Sequence, residues 1–302
     1  MGLIEEKMMQ ELSHEQLKAA IKEVWIRSLT DLPSDVEKAL VSAKEAETNP
    51  RAKTFLGVII ENARIAKEKH TVICQDTGVP TFEVTTSLGF PFRGSFERAF
   101  REAMHELTTD EFPMRPMVVN PLTREDNCDN TGINVPVIHY KLEEDLDYIE
   151  IKAIPKGAGT GMWSTLSILP YAEGSAGVKK FVIESVLKAG SNPCLPLIVG
   201  VGIGGTLDET ARLATVASNR RVDERNSSPE LRELEEELKA AINMSGIGAL
   251  GVGGDISVLA VNVELSSCHK PWLPVAVSFN CWPGRRAKCR IYADGHTEKL
   301  EA

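Results

Sequence analysis

The stretch LPLIVGVGIGG, residues 195–205, joins a continuous apolar run to a glycine-rich end. An apolar run of this length without polar alternation is typical of a strand that is buried on both faces, and clustered glycines are typical of a turn. The stretch therefore predicts an interior strand of a sheet. Helical patterns lie before and after it, and this combination indicates a protein that mixes α-helices with β-sheets.

The same stretch fits a second pattern. Gly200, Gly202 and Gly205 match the G-x-G-x-x-G spacing of dinucleotide-binding proteins, and Asp223 lies where a ribose-binding acid is expected. However, the glycines come two-thirds of the way along the chain, and Asp223 falls in a polar segment that is typical of a loop. The alternative is that the glycines allow close backbone packing. We favour packing, with an NAD-dependent oxidoreductase as a further hypothesis.

The residues before position 71 carry helical patterns. Ser34 to Glu37 form a capping-box pattern, and Asn49-Pro50 is typical of a helix cap followed by proline at the first helical position. Residues 51–69 carry apolar side chains at roughly helical spacing. We therefore predict a helical N-terminal part over residues 1–70.

Strand-like and helical runs alternate in the rest of the chain. PVIHYKLE at residues 136–143 and DYIEIKAI at residues 147–154 predict two strands paired through an acidic turn. The run SAGVKKFVIESVLKAG predicts a helix closed by Gly190. The acidic residues 233–237 are typical of the solvated face of a helix.

Composition sets the remaining limits. A chain of 302 residues with 42% apolar and 25% charged residues can bury a large core. We predict a mixed α and β fold (α+β or α/β), in which a helical N-terminal segment is followed by β-sheets flanked by helices, in a single catalytic domain over residues 1–302. The net charge of −9 argues against nucleic acid or an anionic membrane as a partner. The sequence has no long apolar span and no apolar signal region, so we expect a cytoplasmic protein.

Six cysteines are present, and three of them stand at the ends of apolar runs: Cys74, Cys194 and Cys281. Cys74 belongs to the unusual stretch ICQDTGVP, in which turn chemistry explains Asp-Thr-Gly but not the preceding Cys-Gln. No C-x-x-C pair occurs, which argues against a zinc ribbon or a ferredoxin-type cluster. Residue physics leaves three alternatives open for Cys74, namely a buried thiol, a nucleophile or a metal ligand. It also leaves the remaining three cysteines as candidates: Cys128, Cys268 and Cys289.

Six motifs in order resemble one known family. They are ICQDTG, NPLTREDNCDNTG, PKGAGTG, NPCLPLIVGVGIGGT, GALGVGGDISVLAVNVE and CHKPWLPVAVSFNCW. Their order and spacing are similar to the α subunit, or N-terminal region, of the iron–sulfur hydro-lyases of the class I fumarase and L-tartrate dehydratase family. The resemblance covers about residues 15 to 295.

The resemblance implies a set of functional residues. The positions that match the three cysteine ligands of a [4Fe-4S] cluster are Cys74, Cys194 and Cys281. Three thiolates leave one iron without a protein ligand, and such an iron can act as a Lewis acid. The resemblance further implies substrate-binding residues and acid–base or catalytic residues. The substrate-binding positions are Gln75, Arg115 and Gly157, and the catalytic positions are Asp76 and His269.

The implied reaction is the reversible hydration or dehydration of a four-carbon dicarboxylate. Lys156 before the glycines is similar to the fumarase branch, whereas the Cys281-Trp282 pair is similar to the tartrate branch. Met162 and Trp163 depart from the residues that are common in the family near the substrate. We favour fumarate/(S)-malate, with L-tartrate dehydratase as the alternative. A non-catalytic iron–sulfur protein is the main hypothesis from another class.

The resemblance also implies a partner. In the family, the catalytic base and further carboxylate-binding groups lie in a β region, and the residues after Arg290 are too few to form one. We therefore expect a β subunit and an α₂β₂ assembly.

Overall fold

The computed structural model describes residues 11–112 and 114–301. By their internal contacts these residues form two compact units. The first unit combines residues 11–29, 74–155 and 286–301, and the second combines residues 30–73 and 156–285. No helix in the described part of the chain is long and apolar enough to cross a membrane.

The α-helices and β-strands are numbered in chain order. The helices are α1 (His14–Thr30), α2 (Ser34–Ala46), α3 (Pro50–Glu68), α4 (Phe96–Glu106), α5 (Ala158–Gly161), α6 (Gly174–Ala189), α7 (Leu207–Ser218) and α8 (Pro229–Asn243). The strands are β1 (Leu12–Ser13), β2 (Val79–Thr86), β3 (Phe92–Arg93), β4 (Val137–Leu142), β5 (Tyr148–Lys156), β6 (Thr165–Pro170), β7 (Leu197–Ile203), β8 (Val258–Leu265), β9 (Trp272–Asn280), β10 (Ala287–Tyr292) and β11 (Thr297–Leu300). The mixed α and β fold is confirmed.

The predicted N-terminal helices are α1, α2 and α3, and the prediction for residues 1–10 lies outside the described residues. The Asn49 cap is confirmed, because its side chain accepts hydrogen bonds from the backbone of Arg51 and Ala52. The capping box at Ser34 is wrong. Helix α2 begins at Ser34 with Pro33 in the cap position, and the buried Ser34 hydroxyl has no hydrogen-bond partner among the described residues.

The first unit contains a five-stranded sheet in the order β11-β10-β5-β2-β4. The predicted pairing of residues 136–143 with 147–154 is wrong, because β2 lies between β4 and β5 and runs parallel to β4. The acidic loop between β4 and β5 is bound to the end of β2, because Glu143 donates its backbone N–H to the Thr86 carbonyl. Buried Phe82 of β2 packs between Trp25 and Phe100, with ring centroids 5.2 and 4.6 Å away. These aromatic contacts give β2 a central place that local sequence did not reveal.

The second unit contains a four-stranded sheet in the order β6-β9-β7-β8. Strand β7 is buried at every position, as its apolar run predicted, and it runs parallel to β8 and antiparallel to β9. Helices α7 and α8 pack against this sheet. The acidic face of α8 is exposed except at Glu235, which is buried, pairs with Arg220 and accepts the Val263 backbone N–H at 2.8 Å.

The glycines of β7 serve close packing. A Cβ at Gly200 would lie 2.1 Å from the Ala214 carbonyl oxygen, and a Cβ at Gly202 would lie 2.3 Å from that of Thr210. Both carbonyls belong to α7, so the helix backbone rests directly on the strand. This contact accounts for the first two glycines of the G-x-G-x-x-G pattern without a nucleotide.

We expect Gly200→Ala to destabilise the protein by at least about 2 kcal/mol, because overpacking against a backbone is not relieved by a rotamer change. Gly89→Ala is the matched control, since a Cβ there has open space. The free energy of unfolding measured in urea checks the prediction. Unchanged stability in Gly200→Ala, together with NAD binding by the parent protein that the substitution abolishes, would instead support the dinucleotide interpretation.

Candidate active site

The antiparallel pairing of β7 with β9 brings two of the predicted cysteines to one edge of the second unit. Ile198 near the start of β7 faces Asn280 at the end of β9. Cys194 shortly precedes β7, and Cys281 directly follows β9. The Trp282 backbone N–H donates to the Cys194 carbonyl at 3.2 Å, which ties the two segments together.

The backbone at both cysteines is tightly turned. Cys194 has a φ of +60°, its N–H donates to the Ser191 carbonyl at 3.2 Å, and its side chain is exposed. Positive φ is uncommon for residues other than glycine, and such conformations concentrate at functional sites. The Cys281 carbonyl accepts the Gly284 N–H at 2.8 Å, and Cys281 is partly exposed. Both thiols are therefore held in turns at the same sheet edge.

The glycine segment 157–161 packs beside Cys194. The Gly157 carbonyl caps the short helix α5 by accepting the Gly161 N–H at 3.0 Å. A Cβ at Gly159 would lie 3.2 Å from the Asn192 carbonyl oxygen, two residues before Cys194. This close approach fixes the segment against the cysteine loop, as only a small residue permits.

Lys156 supplies a positive charge at the same edge. Its Nζ donates to the Phe279 carbonyl at 2.8 Å and lies 3.0 Å from the Ser278 hydroxyl. The pKa of Lys156 is lowered to about 8. Burial of the ammonium lowers the pKa and is the larger effect, whereas the nearby Cys281 partly offsets it. In the sequence, Lys156 served only to compare the branches of the family. A lysine at the end of a mostly apolar strand was the available signal for a buried charge.

The stretch that contains Cys74 forms a tight turn in the first unit. The Asp76 side chain accepts the Gly78 N–H at 3.0 Å, which is the Asx-turn expected from this sequence, and Gly78 has a φ of +76°. Gln75 is exposed, and Cys74 is partly exposed. The Asx-turn does not consume the thiol or the amide, so these groups remain available to bind other atoms.

Arg115 is attached to the same turn. Its carbonyl accepts hydrogen bonds from the Thr77 hydroxyl at 3.1 Å and from the Asn130 amide at 2.9 Å, while its side chain is exposed. The first unit therefore links Arg115 to the turn that carries Gln75 and Asp76. Neither Thr77 nor Asn130 was predicted as a site residue, although both stand in motifs that carried the resemblance.

His269 lies at the other end of β9. It precedes the first residue of that strand, Trp272, and its ring lies edge-on to the indole with centroids 5.9 Å apart. Nine residues of extended strand separate the two ends of β9 by about 26 Å. Within the second unit, the fold therefore does not bring His269 to the edge that holds Cys194 and Cys281.

Comparison with known proteins identifies the family. The family model described as Fumarate hydratase (Fumerase) matches residues 18–290. The chain belongs to this family. It is therefore part of a hydro-lyase, and the resemblance inferred from the six motifs is confirmed.

Curated relatives carry more specific names. A Methanocaldococcus jannaschii protein named provisionally as an L(+)-tartrate dehydratase subunit alpha is 42% identical over 283 residues, which are 92% of this chain and 99% of the relative. The L(+)-tartrate dehydratase subunit alpha of Escherichia coli K12 is 33% identical over 271 residues, which are 90% of this chain and 89% of the relative. The Shigella sonnei protein of the same name has the same identity and coverage.

The other three cysteines of this Fumerase-family chain lie in different surroundings. Cys128 and Cys268 are exposed, and the Cys268 thiol lies 3.3 Å from the Trp272 carbonyl beside His269. Cys289 is buried in β10, and burial raises the pKa of its thiol to about 12. A thiol so strongly held in the neutral form is a poor metal ligand.

A second group of potential ligands lies in the first unit, where His14, Glu15 and Glu102 approach one another. Lys18 occupies this group, with its Nζ 2.9 Å from Glu15 and 4.0 Å from Glu102. Glu106 is also 2.9 Å from Lys18. The group is therefore part of an ion-pair network in which Lys18 already lies among the carboxylates.

Proposed function

We propose that this chain is the α-type subunit of an iron–sulfur hydro-lyase that acts on a four-carbon dicarboxylate. The observation that carries the proposal is the edge of the second unit at which Cys194, Cys281 and the glycine segment come together. Family membership supports water addition or removal as the reaction. A non-catalytic iron–sulfur protein would not need the glycine segment that packs against the Cys194 loop.

The proposed cluster ligands are Cys74, Cys194 and Cys281. The donor set fits a [4Fe-4S] group, because Cys194 and Cys281 reach the same edge with accessible thiols near the Lys156 ammonium. Ile73, which directly precedes Cys74, belongs to the core cluster of the second unit. When bound, such a cluster would supply an iron without a protein ligand as a Lewis acid for a hydroxyl group.

Other residues of this chain would bind and orient the substrate. The exposed Arg115 guanidinium can bind one substrate carboxylate through two parallel hydrogen bonds. Gly157 would present its backbone to the substrate, and Gln75 would bind it through its amide. The Asp76 carboxylate, whose orientation is fixed by the Asx-turn, would hold a water or hydroxyl. The catalytic role of His269 stays a prediction, since within the second unit His269 lies at the opposite end of β9 from Cys194 and Cys281.

The names of the relatives support an order of substrates. We place L(+)-tartrate first, because the curated relatives described above carry that name. Fumarate/(S)-malate stands second, because the description of the matching family names fumarate hydratase and the sequence favoured this pair. The two share a four-carbon backbone with two carboxylates, so Arg115 would serve either.

We further propose a β partner. The names of the relatives contain the words subunit alpha, which imply another subunit in those proteins. By analogy, this chain would join a β subunit that supplies the base, in an α₂β₂ assembly in the cytoplasm. The two units of the chain would then form one catalytic domain.

We expect Cys194→Ser to lose bound iron and acid-labile sulfide, since a serine hydroxyl is a far weaker ligand than a thiolate. The same result is expected for Cys74→Ser and Cys281→Ser. Iron and sulfide analysis of anaerobically purified protein, beside an NAD-binding assay, checks the prediction. Cys128→Ser and Cys289→Ser are controls that keep the cluster. Four irons in Cys194→Ser would remove it from the ligand set, and NAD binding would favour the oxidoreductase.

We expect initial rates to be higher with L(+)-tartrate than with (S)-malate, fumarate or methyl-substituted fumarates. Arg115→Lys should lower kcat/KM for the preferred diacid by about 10- to 100-fold, because a point charge replaces a bidentate fork. Arg93→Lys, at an exposed position, is the control. Faster turnover of malate than of tartrate would reverse the order of substrates, and an unchanged kcat/KM in Arg115→Lys would exclude that residue from the site.

We expect the cluster-loaded chain alone to turn over substrate at least about 100-fold more slowly than the chain with its β partner, since acid–base assistance contributes about 10²–10⁴-fold. The measurement is the hydratase or dehydratase rate before and after addition of the partner. Bound iron must be equal in both samples. Full activity of the homogeneous chain by itself would show that the base lies in this chain.

A further inference from the structure

Arg115 stands in a segment without regular secondary structure. The described residues around it, 114–120, are neither helix nor strand. A long side chain on such a segment samples many positions, and ordering it on a ligand costs conformational entropy. An arginine that binds a carboxylate from this place therefore needs its backbone fixed by other groups.

Two buried side chains fix that backbone. The Thr77 hydroxyl and the Asn130 amide both donate to the Arg115 carbonyl, at 3.1 and 2.9 Å. Thr77 and Asn130 are each fully buried. Because a carbonyl oxygen has two lone pairs, these two donors saturate it.

Asn130 also binds the backbone that follows Arg115 in the chain, at Met117. Its side-chain oxygen accepts the Met117 N–H at 2.7 Å, and its amide nitrogen donates to the Thr108 hydroxyl at 3.0 Å. Thr108 donates in turn to the Met104 carbonyl in α4 at 2.7 Å. Both amide hydrogens of Asn130 are thus used and its oxygen accepts one hydrogen bond, so the partners distinguish the oxygen from the nitrogen. Asn130 has a φ of +58°, a left-handed conformation that asparagine tolerates better than most residues.

Thr77 connects this hydrogen-bond network to the turn that carries the proposed site residues. Thr77 directly follows Asp76 in the turn that also carries Gln75, so its hydroxyl joins the arginine segment to the three residues Cys74, Gln75 and Asp76. A purely structural threonine could bond any neighbouring carbonyl. This one bonds the carbonyl of the single arginine that the family resemblance assigns to a substrate carboxylate.

We propose that Thr77 and Asn130 are positioning residues that present the Arg115 guanidinium to a carboxylate of the dicarboxylate substrate. This inference rests on the proposed function, which places Arg115 in the substrate site. Neither residue touches the substrate in this arrangement. Each acts through the backbone of Arg115, so its removal weakens binding of the substrate and of the transition state alike.

Thr77→Val tests the proposal, because valine keeps the shape and β-branching of threonine and removes only the hydroxyl. A neutral hydrogen bond contributes about 1 kcal/mol net, which is about a fivefold change in an equilibrium constant. In the cluster-loaded enzyme we expect the Kd of succinate, an unreactive four-carbon dicarboxylate, and the KM of the substrate to rise about fivefold. The value of kcat and the iron content stay within twofold of the parent.

Two variants separate positioning from folding. Thr77→Ser retains the hydroxyl and should restore succinate binding to within twofold of the parent. Thr210→Val removes a fully buried hydroxyl that donates to the Gly204 carbonyl in the second unit. It should lower the melting temperature as Thr77→Val does, and leave the Kd of succinate unchanged.

Arg115→Lys, combined with Thr77→Val, completes a double-mutant cycle. If Thr77 acts through the arginine, Thr77→Val adds less than twofold to the Kd of succinate in the Arg115→Lys background. A parent-like Kd in Thr77→Val, beside a raised Kd in Arg115→Lys, would overturn the positioning role alone. A parent-like Kd in Arg115→Lys would overturn the assignment of Arg115 and the inference that rests on it.

Discussion

The antiparallel pairing of β7 with β9 is the constraint on which the second unit depends. Cys194 and Cys281 are far apart in sequence, and they reach one edge because one precedes β7 and the other follows β9. The pairing exists because β7 is buried at every position and has to bond a strand on each side. A one-residue slip would turn every side chain of β9 to the opposite face of the sheet, where both faces are packed, and would break the hydrogen bond between Trp282 and Cys194.

Charge at this edge is local and opposes the charge of the whole chain. The chain has a net charge of −9, which would repel a dicarboxylate at long range. Within the second unit, the Lys156 ammonium lies on the carbonyl of Phe279, two residues before Cys281. In the first unit, Arg115 is exposed beside the Asp76 turn. Because solvent and salt screen distant charges, each of these cations can outweigh the net charge of the chain within its own surroundings.

Sequence reasoning succeeded where local chemistry decides the structure. The cap at Asn49, the buried strand β7 and the Asx-turn at Asp76 each follow from a few neighbouring residues. It failed where a distant segment decides. Strand β2 separates β4 from β5, and its position depends on Trp25 and Phe100, which no local pattern places.

The site follows the same division between local and distant effects. The motifs, together with the family resemblance that they carry, singled out Cys194, Cys281 and Arg115, and the structure holds the first two at one edge. They could not reveal that Asn130, in a polar loop, donates a hydrogen bond to the Arg115 carbonyl. That bond depends on the path of the loop in three dimensions, which the local sequence does not show. They also could not show that β9 separates His269 from Cys281, because strand direction and length are needed for that conclusion. Glu235 was wrongly predicted to be solvated for a similar reason, since its partner Arg220 lies outside α8, in the segment before that helix.

The glycines of β7 show why a short pattern is ambiguous between two functions. A dinucleotide site needs glycine where a phosphate approaches the backbone, and a strand packed on a helix needs glycine where the helix backbone approaches. Here the approaching atoms are the carbonyls of Thr210 and Ala214, so the space that a pyrophosphate would need beside Gly200 and Gly202 is filled by α7. The same packing holds β7 in place, and β7 in turn positions the Cys194 loop. The glycines that imitate a cofactor fingerprint therefore contribute to the proposed site indirectly, by allowing the strand that supports it to be buried.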